Sequence, residues 1–234
     1  MANNERRAGF LQRTAKDVRN HKVRMRICSI ALGMLLTLAF ILYIVATLYK
    51  QSGSFTVSLD KYEMTKYGLT LSETSDMAYN TSHLNTQISE HITNIASEEI
   101  PDNVDMIDGA HSGQDYIAYT FYLQNAGEVP VSYEYSVVMS NITNGIDEAI
   151  RLRLYVDGTP TTYAKTKTDG SGPEPFTTSF YSSTVMAYGR VDDFAVGQKT
   201  KFTVVIWIEG TDPECLDWLI GGQMKIDMNM SIVH

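Results

Sequence analysis

A glycine-containing stretch of fourteen residues contains four aspartates: Asp102, Asp105, Asp108 and Asp115. Ca²⁺ binds several carboxylate and carbonyl oxygens on a loop that can wrap around it. The spacing therefore predicts a candidate calcium site at these four residues, although it does not match the EF-hand pattern. The alternative is that this stretch is a solvated acidic loop.

Other residue types that support catalysis lack the spacing that catalysis needs. Ser58 and Lys61 match an S-x-x-K pattern, but they lie in a predicted strand, where a serine and a lysine three residues apart do not face each other. His83 and His91 are eight residues apart, which places them about 80° apart around a helix and provides too few convergent ligands for zinc. The sequence thus predicts no catalytic site, no enzyme activity and no cofactor other than the candidate calcium ion.

The charge is distributed very unevenly along the 234 residues, which carry −8 in total. Residues 1–26 contain eight Lys or Arg against Glu5 and Asp17, a local charge of +6, so the remainder carries −14. A domain this acidic repels nucleic acid, and we expect no nucleic-acid partner. The two cysteines, Cys28 and Cys215, are far apart in the chain, and the lack of disulfides favours a bacterial, Gram-positive surface protein.

Residues 27–49 contain no charged side chain, and a helix of that length spans about 34 Å, enough to cross a bilayer. No small-residue processing site follows the segment, so we expect it to be retained as a single-pass membrane helix. Lys22, Arg24 and Arg26 flank it on one side and only Lys50 on the other, which predicts a cytoplasmic N-terminus and an extracellular C-terminal part. The predicted units are a basic cytoplasmic arm (1–26), a transmembrane helix (27–49) and an extracellular domain (50–234).

Alternation of apolar and polar residues recurs through the extracellular part and is typical of half-buried strands. It is clear in six segments, starting near residues 55, 117, 131, 150, 202 and 224, and weaker near 67–73 and 176–188. Helical spacing occurs at 82–98 and at 212–221. We therefore predict a mainly β domain, an antiparallel β-sandwich or jelly roll with two short helical inserts. The alternation places Ile206 and Met228 in the core and Trp207 on the opposite face of its strand.

Two runs carry a resemblance to a known group: IDGAHSGQDYIAYTFYLQNAGEVPVSYEY and VVIWIEGTDPECLDWLIGGQMKIDMNMSI. They resemble membrane-proximal and secreted surface proteins of Firmicutes in the TasA/camelysin group, over about the last 130 residues. The resemblance implies a jelly-roll domain in the cell envelope. This chain differs from the secreted members in its long basic arm and in its helix, which lacks a processing site.

The function expected from these features is a non-enzymatic envelope module in the cell membrane. Its expected partners are membrane lipid, through the helix, and a protein at the cell surface, either another copy or a matrix component. The alternative is an accessory or sensory subunit of a membrane complex, in which the arm and the helix make the essential contacts.

Overall fold

The computed structural model of the protein describes residues 15–51, 54–87 and 92–233. These residues divide into two compact units, one ending at Lys50 and the other beginning at Gln51. The first contains helix α1 (Ala15–Gln51) except for its last residue. Within it, Arg19–Thr47 has a mean hydropathy of 2.5 and is long and apolar enough to cross a membrane. The helix extends beyond the predicted span into the basic arm, of which residues 1–14 lie outside the described part.

The second unit is built from strands and one short α-helix, α2 (Lys61–Tyr67). The described strands are β1 (Ser54–Leu59), β2 (Leu69–Ser72), β3 (His83–Gln87), β4 (Gly109–Ala110), β5 (Tyr116–Asn125), β6 (Val131–Ser140), β7 (Ile150–Val156), β8 (Thr159–Ala164), β9 (Thr178–Ser179), β10 (Val185–Phe194), β11 (Lys199–Ile208) and β12 (Lys225–Ile232). Single turns of 3-10 helix lie at Ser97–Glu99, Val104–Met106, Ile146–Glu148 and Asp217–Leu219.

The strands form two sheets. Sheet A has the order β10-β6-β12-β1-β3, and sheet B has the order β2-β5-β11-β7-β8-β9, with β4 also paired to β5. Most neighbours are antiparallel, but β1 pairs with β12 in parallel, as β8 does with β9. The fold is therefore a β-sandwich with mixed sheets, which confirms the predicted sheet-rich domain after an N-terminal helix.

The main core lies between the two sheets. Rings from opposite sheets meet there: Phe55 of β1 contacts Tyr119 of β5 edge-on at 6.0 Å between centroids, and Tyr135 of β6 contacts Phe202 of β11 at 5.2 Å. Ile206 and Met228 belong to this core, whereas Trp207 packs in a second apolar cluster on the other face of sheet B. The predicted register of β11 and β12 is thus confirmed.

Helix α2 follows β1 because local signals start and stop it. Asp60 Oδ1 accepts a hydrogen bond from the Tyr62 backbone N–H at 2.7 Å, which caps the first turn. Gly68 has a φ of 75°, a left-handed conformation that glycine adopts readily, and its N–H closes the last turn on Met64 O. The pattern of apolar and polar residues in the sequence does not predict this helix.

The prediction of a helix at 82–98 is wrong where the structure describes that segment. Residues 83–87 form β3, which pairs with β1 and buries Leu84 and Thr86. Pairing with a strand distant in sequence overrides the local helical spacing. Residues 88–91 lie outside the described part, and the predicted helix at 212–221 reduces to the single 3-10 turn at Asp217–Leu219.

Candidate functional site: a polar pocket on sheet B

The four aspartates of the candidate calcium site make separate local contacts. Asp115 accepts hydrogen bonds from Thr93, at 2.9 Å from the backbone N and 2.7 Å from Oγ1, and these bonds lower the pKa of Asp115. Asp108 accepts a bond from the Tyr122 hydroxyl at 2.7 Å, and Asp102 is exposed. The Asp105 backbone carbonyl accepts a bond from Lys201.

In the described part of the chain, only one group of three acidic, histidine or cysteine side chains has ligand atoms within 4.8 Å of one another, and none of these four aspartates belongs to it. The structure therefore places the predicted ligands along one loop without bringing them together. The calcium site stays a prediction.

The three carboxylates that do converge are Glu174, Asp212 and Glu214. They lie beside a pocket of about 400 Å³ on the outer face of sheet B, where Glu174 and Asp212 contribute to the lining. The floor comes from the outer-face residues of β7 and β11, and the walls come from the segments before β9 and after β11. Strand pairing aligns Arg151 with Trp207, so both side chains leave the same face of the sheet.

On the floor, the guanidinium of Arg153 lies over the ring of Trp207, 5.1 Å from its centroid. The indole N–H of Trp207 donates to Glu209 Oε2 at 3.0 Å. The other carboxylate oxygen of Glu209 accepts bonds from the Thr211 hydroxyl at 2.7 Å and from the Thr211 backbone N–H at 3.2 Å. The indole and the Glu209 carboxylate are thereby both satisfied, which is what burial requires.

Next to this floor, Arg151 and Asp212 form an ion pair whose side chains are 3% and 1% exposed. Arg151 also donates to the Ile150 carbonyl at 3.2 Å, and Asp212 Oδ1 accepts the Glu214 backbone N–H at 2.8 Å. A buried pair of this kind gains from mutual attraction but has lost its hydration, so it holds only while both partners are present.

The carboxylates of Asp212 and Glu214 also lie close together, with oxygens within 4.8 Å of one another. Burial raises the pKa of Asp212, and its bond with Glu214 adds to the rise, against the opposing effect of Arg151. The same side-chain bond lowers the pKa of Glu214, which also accepts bonds from Thr168. The pKa values of the two carboxyl groups are thus shifted apart.

Glu174 completes the group, with Oε2 3.6 Å from the Lys167 amine and Oε1 buried without a hydrogen-bond partner. The three carboxylates are the described groups best placed to hold a cation. Arg151 and Lys167 already supply two positive charges, however, so a divalent ion would compete with existing ion pairs. The geometry favours a closed ionic network.

Sequence reasoning missed this network. The alternation of the strand that starts near residue 150 places Arg151 and Arg153 on its outer face, but nothing in the local pattern indicates that this face is covered. Asp212 is the first residue of the predicted helix at 212–221. The available signal was the acidic segment Asp212–Glu214 directly after a strongly apolar strand.

His111 makes local contacts in the loop that covers the outer face of sheet B. It is half-buried, and its ring nitrogens contact the carbonyls of Gly109 at 2.8 Å and Val104 at 2.7 Å. Val104 belongs to the outer apolar cluster, so these contacts of His111 stabilise the loop that covers the outer face of sheet B. Its role here is structural.

No model of a known protein family matches the sequence, and no curated protein matches it. Among solved structures, two of a β-glucosidase from Kluyveromyces marxianus align with it, both with a TM-score of 0.26. The complex with glucose is 12% identical and aligns over 79% of this chain and 18% of that one; the selenomethionine form is 10% identical, over 68% and 17%. The chain spans less than a fifth of the length of those enzymes, and similarity this weak supports neither a shared fold nor a shared activity.

Proposed function

We propose that this protein is a membrane-anchored β-sandwich module that binds another component of the cell envelope without catalysing a reaction. One observation carries the proposal: a helix long and apolar enough to cross a membrane ends at Gln51, and the first strand of the sandwich begins at Ser54. With so short a connection, the domain would stay at the membrane surface. Its partner would be another copy of the chain or a matrix component.

The proposed orientation places the N-terminus in the cytoplasm and the sandwich outside the cell. The charge bias across the helix supports it, because positively charged flanks are retained in the cytoplasm. The resemblance to the TasA/camelysin group supports a Gram-positive envelope, since it implies a jelly-roll surface protein.

The pairing of charged groups in the polar pocket supports a role without catalysis. Its arginine and carboxylate groups pair with one another: Arg151 with Asp212, and Glu209 with Trp207 and Thr211. Groups held in this way stabilise a fold more readily than they attack a substrate. The calcium site at Asp102, Asp105, Asp108 and Asp115 remains part of the proposal only as a candidate.

Topology is tested by adding protease to intact cells. We expect digestion of the sandwich and a small membrane-bound fragment that contains α1. N-terminal sequencing of the mature protein provides the second readout. A mature N-terminus between Ala46 and Ser54 would show that the helix is cleaved and would overturn the anchor.

Partner binding is tested by purifying the full chain from gently solubilised membranes that contain two differently tagged copies. Recovery of both tags indicates self-association, and recovery of a different envelope component indicates a separate partner. If neither is recovered after mild crosslinking of intact cells, the binding role is wrong.

An accessory or sensory subunit is the second candidate, favoured by the extent of α1. Within the described part of the chain, α1 includes Arg19, Lys22, Arg24 and Arg26, so this stretch of the basic flank is helical. Deleting residues 2–14 removes part of the arm but leaves Lys22, Arg24 and Arg26 to set topology. Unchanged partner recovery supports the envelope module, whereas loss of the partner with intact surface display supports the subunit.

A further inference from the structure

The end of the sandwich that carries Ser54 also carries an exposed apolar loop. Strands β1 and β12 are parallel, with Phe55 opposite Ile226, so both strands start at the same end of sheet A. The loop before β12 lies at that end. It is fastened to the connection after β6 by hydrogen bonds from Thr143 N to Gln223 O at 2.9 Å and from Asn144 Nδ2 to Ile220 O at 3.0 Å. We name this the near end.

Most of the large apolar side chains of this loop are exposed to solvent. Leu219 is buried, whereas Leu216, Trp218 and Ile220 are 54%, 53% and 77% exposed. The six-membered ring of Trp218 lies so close over Gly145 that a Cβ there would be 2.6 Å from it, so the ring rests on backbone and keeps its outer side free. Three neighbouring large apolar side chains that point outward form a surface patch that water solvates poorly.

The connection to α1 limits how far the near end can move from a bilayer. Five residues lead from the end of the predicted span at Tyr49 to Ser54, and an extended chain of five residues covers at most about 17 Å. The headgroup layer adds about 5–8 Å on each side of the hydrocarbon. A strand of six residues such as β1 is about 20 Å long, so the opposite end of sheet A lies about that far from Ser54 along the strand.

Charge identifies the kind of surface that would cover this patch. The loop carries Asp217, and Glu214 and Glu148 lie beside Trp218 and Leu216 in a second surface pocket. Such acidic neighbours disfavour anionic partners. Trp in an otherwise apolar group is typical of the boundary between headgroups and acyl chains, where the indole N–H stays hydrated.

We infer that Leu216, Trp218 and Ile220 insert into the headgroup boundary of the membrane that holds α1, and so fix the tilt of the sandwich above the bilayer. This inference rests on the proposed function, because it requires α1 to be embedded. Apolar burial provides the contact, which should therefore persist at high salt.

The chain offers a direct probe, because it has only two tryptophans and Trp207 is 1% exposed. The full chain is reconstituted in zwitterionic vesicles whose lipids carry bromine at shallow acyl positions, and tryptophan emission is measured. We expect quenching in the wild type at both low and high salt. The Trp218→Phe variant should lose that quenching, because only buried Trp207 remains.

A matched control places a tryptophan at the opposite end. Val129 is 54% exposed and lies in the connection between β5 and β6, at the end where β12 finishes, because Ile232 of β12 pairs with Tyr133 near the start of β6. The double variant Trp218→Phe with Val129→Trp should show no quenching.

The possible failures are distinguishable. If the chain fails to float with the vesicles, both the anchor and the inference are wrong. If it floats but Trp218 is not quenched, or the double variant is quenched as strongly as the wild type, the anchor stands and the inference is overturned.

Discussion

The two faces of sheet B are both buried at their centre, but different partners cover them. On the inner face, alternate residues of β5, β7 and β11 meet the apolar side chains of sheet A. On the outer face, the segment around Ile100 and Val104 covers Val205 and Trp207, and an ionic network closes one side. The inner face depends mainly on apolar area, whereas the outer face depends on a loop held by a few specific polar contacts.

The largest expected effect comes from breaking the buried ion pair on the outer face of sheet B. Arg151→Ala leaves Asp212 buried without its partner, and we expect it to lower the free energy of unfolding by about 3–5 kcal/mol. Urea denaturation measures the loss. The control is Arg190→Ala, which removes an exposed pair with Asp192 and should cost less than about 1 kcal/mol.

A second variant separates the loss of the pair from misfolding. Arg151→Met combined with Asp212→Leu replaces both charges with apolar groups and should recover much of the stability. Equal stabilities for Arg151→Ala and Arg190→Ala would show that the buried pair is unimportant.

Adjacent valines of β11 offer the most direct comparison of the two faces. Val204 belongs to the inner core and Val205 to the outer cluster, and both are fully buried. Each Val→Ala change should cost about 1–3 kcal/mol through lost burial and the cavity left behind. Denaturation measures both, and a cost near zero at Val205 would mean that the loop covers the outer face only loosely.

At high pH, the pKa values of tyrosines in the main core and on the outer face of sheet B can be measured separately. Burial raises the pKa of Tyr133, in the main core, to about 12, and burial together with the Asp108 carboxylate raises the pKa of Tyr122, on the outer face, to about 12. These tyrosines stay neutral in the fold while the unfolded chain loses its protons near pH 10, so stability should fall as the pH rises between about 10 and 12.

Ultraviolet absorbance of tyrosinate measures these titrations, and single Tyr→Phe variants assign them. Asp108→Asn should lower the pKa of Tyr122 and leave Tyr133 unchanged. A simultaneous shift of both would indicate that the two faces are not independent.

The smallest effect is expected on the outer face of sheet A, which supplies a baseline for the comparison. Lys225 and Asp227 form a partly exposed pair there at 3.0 Å. Lys225→Ala should change the free energy of unfolding by less than about 0.5 kcal/mol. A larger loss would indicate that this face, too, is covered.

The elements that the sequence predicted correctly are the strands that pack on the large apolar core. Alternation identified β5, β6, β7, β11 and β12 because one face of each packs on a large apolar core, and it placed Ile206 and Trp207 on opposite faces. It failed at β3, since Leu84, Ile88, Ile92 and Ile95 have helical spacing and only pairing with β1 settles the conformation.

The polar pocket could not be predicted for a related reason. Arg151 and Asp212 are 61 residues apart, and their contact exists only because the segment after β11 folds back over β7. Sequence reasoning instead grouped Asp102, Asp105, Asp108 and Asp115, which are close in the chain. Proximity in sequence is a poor guide where an extended loop directs successive side chains to different partners.

The parallel pairing of β1 with β12 constrains the order in which the domain is made. Strand β12 lies between β6 and β1, so until it is present the β1–β3 pair has no hydrogen-bonded connection to β6 and β10. Strand β1 leaves the ribosome soon after the apolar helix, and β12 follows only after more than 160 further residues. During synthesis, the buried side chains of β1 would therefore lack their β12 partner until almost the whole chain has been made. Closure of the sandwich becomes a late step, and a chain interrupted before Lys225 would leave sheet A open and its apolar side chains exposed to aggregation and proteolysis.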